Sequence, residues 1–121
     1  MSFSEPDLAA LAAAEEIEIE TRAADGTIHQ AIVWPLVRDG VAYVRSFKGP
    51  SGRWYREALA DPSVALLVEG RRLPARAVHA PDPPSVEACS KALAEKYRGD
   101  GSLAAMLAPA VLPTTVRLES S

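Results

Sequence analysis

The sequence predicts a mainly β domain in which six antiparallel strands, with short helices between them, curl into a small barrel. Three observations carry that prediction. Apolar and polar residues alternate with a period of two in several short segments. Most links between these segments are a few residues long and contain Gly or Asp-Gly, which suits hairpins and leaves no room for the helical crossovers of a parallel sheet. The 121 residues suffice for one domain, spanning residues 1–121.

The elements follow in order. Ser4 as N-cap, with Asp7 three residues on and Pro6 tolerated in the first turn, opens a helix over Glu5–Ala14, so residues 1–14 read as a helical cover segment. Glu16–Arg22 alternates strictly, with Ile17, Ile19 and Thr21 on an inner face and Glu16, Glu18, Glu20 and Arg22 on a wet one. Asp25-Gly26 turns the chain into Ile28–Val37, which is apolar on both faces and should be covered on both. Pro35 has no N–H to give a ladder, which places that strand at an edge or makes it bulge there. After the turn Asp39-Gly40, Val41–Phe47 is a third strand; Ser51 caps a helix that runs to Ala60 and stops at Asp61-Pro62. Val64–Glu69 and Arg71–Ala80 form a hairpin about Gly70. Asp82 and two prolines then open a helix carrying Val86, Cys89, Leu93 and Tyr97 on one stripe, closed by Gly99 and Gly101, with one more helical turn at Leu103–Leu107. Thr114–Glu119 is the last strand, with Thr114, Val116 and Leu118 inward and Thr115, Arg117 and Glu119 outward.

Composition narrows the class. Of the 48% hydrophobic residues, 22 are Ala, so large apolar side chains are few and self-association as a homodimer is expected. No apolar run is long enough for a membrane span, and Met1–Glu20 holds six acids and no base, unlike a signal peptide. The single Cys89 and the separated His29 and His79 provide neither a disulfide nor a metal cluster, so no metal is expected, and a cytoplasmic location fits. Elbow, Walker and zinc-protease motifs are absent.

The net charge of −3 conceals an asymmetry. Arg45, Lys48, Arg53 and Arg56 fall within twelve residues that contain no acid, interleaved with Gly49, Pro50, Ser51 and Gly52. Cations stacked at the start of a helix oppose its dipole, each at a cost of about 0.3–1 kcal/mol. A bound anion would reverse that sign: two glycines let backbone amides approach it, and Ser51 adds a hydroxyl. The residues leave a second reading open, in which these cations pair with the acidic Glu16–Glu20 strand or are simply solvated. Trp54 and Tyr55 likewise read either as core or as a platform for a planar ring. Trp34 reads as barrel or dimer packing, and His79 has no assigned role. Net negative charge makes nucleic acid an unlikely partner.

The run from Tyr43 to Pro62 (Tyr-Val-Arg-Ser-Phe-Lys-Gly-Pro-Ser-Gly-Arg-Trp-Tyr-Arg-Glu-Ala-Leu-Ala-Asp-Pro), followed by Val64–Val68 and Gly70–Pro74, resembles an uncharacterised bacterial family, domain of unknown function 2255. Ile17–Arg22 and Leu112–Glu119 resemble its flanking motifs, so the similarity spans roughly Glu15–Glu119. The same order of elements is similar to deazaflavin-dependent nitroreductases and to pyridoxamine-phosphate-oxidase-like FMN-binding split barrels, although the chain is shorter than many such reductases. That resemblance implies a six-stranded split barrel, a homodimer, and FMN or a deazaflavin as cofactor. It further implies phosphate held by Arg45, Ser46, Lys48 and Arg53, a loop shaped by Gly49 and Gly52, and a ring bordered by Trp54 or Tyr55. The function so implied is hydride or electron transfer to a small organic acceptor; the alternative is a cofactor-free dimeric module that binds another anionic metabolite or a protein partner.

Overall fold

The computed structural model describes residues 3–121, so the first two residues of the expected cover segment lie outside it. A seven-stranded antiparallel sheet has the order β2-β1-β5-β6-β7-β4-β3, with β1 Ile17–Arg22, β2 Ile28–Val33, β3 Leu36–Arg38, β4 Val41–Val44, β5 Ser63–Val68, β6 Arg71–His79 and β7 Val116–Ser120. Helices α1 (Glu5–Ala13), α2 (Arg53–Ala60), α3 (Pro83–Lys96) and α4 (Leu103–Met106) sit between them.

The seventh strand arises at Pro35. The expected strand Ile28–Val37 is two strands, and they lie at opposite ends of the sheet: Val33 pairs with Ile17, whereas Leu36 pairs with Tyr43. Three peptide units span at most about 11 Å, so the two outer strands must come close together where Trp34-Pro35 crosses. The sheet is therefore a curled, split barrel. Pro35 fits the crossing because its missing N–H interrupts both ladders at no cost.

Local chemistry fixes the remaining turns. Asp39 and Gly40 have φ of 52° and 76°, and Glu69 and Gly70 have 52° and 72°. Both pairs thus adopt the primed two-residue turn whose twist matches its hairpin. The Ser4 hydroxyl accepts from the Asp7 N–H at the start of α1, and Asp82 Oδ2 accepts from the Ser85 N–H at the start of α3.

Two cores result. Ile19, Leu66, Val116 and Leu118 of the sheet pack with Leu11 of α1 and with Trp54, Tyr55 and Ala58 of α2. On the other face, Leu36 and Tyr43 pack against Cys89, Leu93 and Tyr97 of α3 and Met106 of α4. The short strands β3 and β4 are thereby covered on both sides, which for β3 is what was expected of the strand Ile28–Val37. The β2 half is not: Ile28 and Ile32 are 51% and 64% exposed. Thr115, expected to face outward, is fully buried, because β7 begins only at Val116 and residues 112–114 form a 3-10 turn that carries Thr115 inside.

Candidate functional site

A cleft of about 530 Å³ opens where the end of β2, the loop after β4, the first turn of α2 and the α4 segment meet, a size within the range of small-molecule sites. Six of the nine residues expected at a site line it: Arg45, Ser46, Lys48, Gly52, Arg53 and Trp54. Gly49, Ser51 and Tyr55 do not.

The loop itself is tightly wound. The Ser46 hydroxyl donates to the Gly49 carbonyl at 2.7 Å, the Gly49 N–H returns to the Ser46 carbonyl at 2.9 Å, and the Gly52 N–H adds a third bond, also to Gly49, at 3.1 Å. Gly49 sits at φ +70°, and a Cβ on Gly52 would collide with the Ser46 hydroxyl oxygen. Both glycines are needed for the winding itself. Ser51 does not cap the helix as expected: α2 begins after Gly52 with no side-chain cap, and the Ser51 hydroxyl donates to the Lys48 carbonyl at 3.1 Å. The 3-10 turn Gly49–Ser51 precedes the helix and moves its start by one residue, so that Gly52 stands at the N-cap position. No acid occupies the first turn of α2.

The cations divide sharply. Arg45 is 1% exposed. Its Nε donates to Thr115 Oγ1 at 2.8 Å, one terminal nitrogen to the Met106 carbonyl at 3.3 Å, and the other to the Val86 carbonyl at 2.8 Å and Ser90 Oγ at 2.9 Å. Burial holds its pKa below the usual arginine value, and all of its acceptors are neutral. Lys48 and Arg53 are exposed, and among the described residues no carboxylate lies within 4.0 Å of either. The acidic β1 strand is not their partner: Glu20 pairs with Arg72 at 3.1 Å.

Trp54 and Tyr55 also separate. Trp54 is part of the core and also lines the cleft. Tyr55 turns away, with its hydroxyl 3.1 Å from His79 Nε2, which in turn lies 2.8 Å from the Pro113 carbonyl. One turn along α2 from Arg53, Glu57 accepts from the Thr21 hydroxyl at 2.7 Å and meets His29 Nδ1 at 2.8 Å. Burial alone would raise the Glu57 carboxyl, but the hydrogen bonds from Thr21 and His29, together with the positive charges of His29 and Arg53, more than offset it and hold the group below the usual carboxylate value.

Sequence reasoning missed several lining residues. Ile32 and Phe47 flank the cleft and are 64% and 57% exposed. Large apolar side chains next to a basic loop were the available signal. Ser102 and Met106 arrive from α4, and nothing local in the sequence ties them to residues 45–54. Trp34 packs as expected, stacked on Tyr97 at 4.0 Å, yet it also borders the cleft.

The family described as "Uncharacterized protein conserved in bacteria (DUF2255)" matches residues 7–118. No curated protein matches the chain in sequence. Among solved structures it is similar to a putative pyridoxamine 5'-phosphate oxidase from Listeria innocua (16% identity, TM-score 0.69, 97% of this chain and 92% of that one). It is also similar to HutZ, the heme storage protein of Vibrio cholerae (14%, 0.68, 97% and 89%), and to an F420-H2 dependent reductase, FDR-A (16%, 0.64, 87% and 94%). At these identities the likeness establishes the split-barrel fold.

Proposed function

For this chain, which belongs to the DUF2255 family, we propose that the cleft binds a flavin-type cofactor, FMN or a deazaflavin, and that the protein transfers hydride or electrons from it to a small organic acceptor. One observation carries the reading: Arg45, Lys48 and Arg53 line the cleft together with Trp34 and Trp54, and no acid is among the lining residues. A planar ring ending in phosphate matches that combination. The neighbours described as an F420-H2 dependent reductase and a pyridoxamine phosphate oxidase support the same class.

The donor set narrows which residues would hold phosphate. The Ser46 and Ser51 hydroxyl protons and most of the Arg45 guanidinium are committed to the protein's own carbonyls and hydroxyls. Lys48 and Arg53 are free to bind, joined by the uncapped N–H groups of the first turn of α2. Arg45 contributes a fixed positive field behind them. When bound, the flavin supplies the redox chemistry, and these residues bind and orient it. A second copy of the chain completes the reading by covering Ile32 and Phe47 at the cleft rim.

Heme, suggested by the HutZ likeness, suits the cleft less well. Neither His29 nor His79 lines it, and Met106 is the one thioether there.

The test is titration of the purified protein with FMN, reduced and oxidised deazaflavin, and hemin, followed by absorbance and fluorescence. Saturable binding of a flavin-type ligand is expected. Lys48→Ala and Arg53→Ala should each weaken it by about 1–3 kcal/mol, roughly 5- to 150-fold. Binding of hemin alone, or of none of these, would refute the proposal.

A further inference from the structure

Two tryptophans line the cleft, and the fold holds them in different ways. Trp54 lies in the core, 8% exposed, with Tyr55 edge-on to it at 6.2 Å and an interplanar angle of 89°. Trp34 is only half-buried. One face of its indole lies on the Tyr97 ring, with centroids 4.0 Å apart and an interplanar angle of 11°. With that face covered, the face left for a ligand is the opposite one.

Behind Trp34 stands the end of α3, where Lys96 and Tyr97 are consecutive and both reach the segment that closes the barrel. Lys96 Nζ donates to the Pro35 carbonyl at 2.5 Å and to the Leu11 carbonyl at 3.1 Å. The Tyr97 ring lies 5.4 Å from the same nitrogen. Carbonyl oxygens and an aromatic face are the partners that suit an ammonium, so the charge of Lys96 strengthens this clamp. The Tyr97 hydroxyl donates to the Glu15 carbonyl just beyond α1 at 2.7 Å. Strand ladders hold the two sides of the crossing: Val33 pairs with Ile17, and Leu36 with Tyr43. Trp34 is thus fixed along its backbone from both directions and at its ring from behind. That removes in advance the side-chain entropy a loose tryptophan would lose on binding.

We propose that Trp34 is the platform on which a planar ligand ring stacks in the cleft, and that Tyr97 and Lys96 are positioning residues that set ring affinity without touching the ligand. The ring, Trp34 and Tyr97 form one three-layer stack, and Lys96 pins the crossing beside it. Trp54 bounds the cleft as a wall fixed in the core. The ligand's identity rests on the flavin-type reading above, whereas any planar ring tests the platform.

The experiment titrates FMN, the deazaflavin cofactor and their phosphate-free forms, riboflavin and the deazaflavin nucleoside, into the intact protein and its variants, read by ligand fluorescence. Trp34→Leu should weaken binding about fivefold or more. The factor should be the same with and without phosphate, whereas a residue on the phosphate would affect only the phosphorylated ligands. Trp34→Phe, which keeps a smaller ring, should fall between Trp34→Leu and the parent. Tyr97→Leu and Lys96→Met should each weaken binding about 2- to 10-fold, and Tyr97→Phe, which keeps the stack, should bind within about twofold of the parent. Emission of the bound ring, quenched by a stacked indole, should rise in Tyr97→Leu; a variant that only destabilised the fold would lower the bound fraction and leave that emission unchanged. Undiminished affinity in Trp34→Leu, or unchanged affinity and emission in both Tyr97→Leu and Lys96→Met, would overturn the proposal and leave the flavin-type reading standing. Trp34-dependent binding of the phosphate-free rings with no gain from phosphate would overturn the phosphate reading and support the platform. Failure of every planar ligand to bind would overturn both.

Discussion

Arg45 and Arg53 stand eight positions apart in one basic segment, and the fold treats them as opposites. Arg45 is buried and held by four neutral acceptors drawn from α3, α4 and the residue before β7, whereas Arg53 stands at the cleft rim without an ion pair. A guanidinium can serve as a structural node because its planar fork satisfies several scattered acceptors at once, and its charge stays on when buried. The same side chain at a rim has nothing to satisfy and remains available to an anion. Local positive charge therefore identifies a segment, and burial decides which of its members build the site and which can bind.

The largest expected effect tests the structural side of that contrast. Arg45→Ala strands buried acceptors on three segments and should cost about 3–5 kcal/mol in urea unfolding. Gly52→Ala places a methyl group against the Ser46 hydroxyl and should cost about 1–3 kcal/mol. The double variant Ser46→Ala, Gly52→Ala should recover part of that loss, and its absence would show that the clash is not the cause.

The next test uses pH. Because Glu57 is held below its unfolded value, its contribution is present above about pH 4.3 and is lost as pH falls through its lower folded pKa. Glu57→Gln should therefore be less stable than the parent at pH 7, with the gap in urea midpoint closing by pH 3. At the small end, Lys48→Ala and Arg53→Ala should change unfolding free energy by no more than about 0.5 kcal/mol. A large loss in either would place that residue with Arg45 among the structural groups.

Much of the fold was legible because its signals are local. Period-two alternation located β1 and its inner residues Ile17, Ile19 and Thr21, all of which are buried. The turn pairs Asp39-Gly40 and Glu69-Gly70 hold their left-handed backbone, and the stripe Cys89, Leu93, Tyr97 faces the core. The site was legible only as a segment. Alternation could not show that Ser46 and Ser51 spend their hydroxyl protons inside the loop, or that Tyr55 turns from the cleft while Trp54 lines it.

By itself, then, the sequence determined the antiparallel elements, the hairpin turns and the acid-free basic stretch, since each depends on neighbours within a few residues. The tertiary structure alone decided that Pro35 divides one expected strand between the two ends of the sheet. It alone decided that Arg45 is a node, because the acceptors that fix it lie 41 to 70 residues away along the chain. It also decided that Lys96 meets Leu11 and Pro35, contacts 85 and 61 residues distant, which only the closing of the barrel brings together.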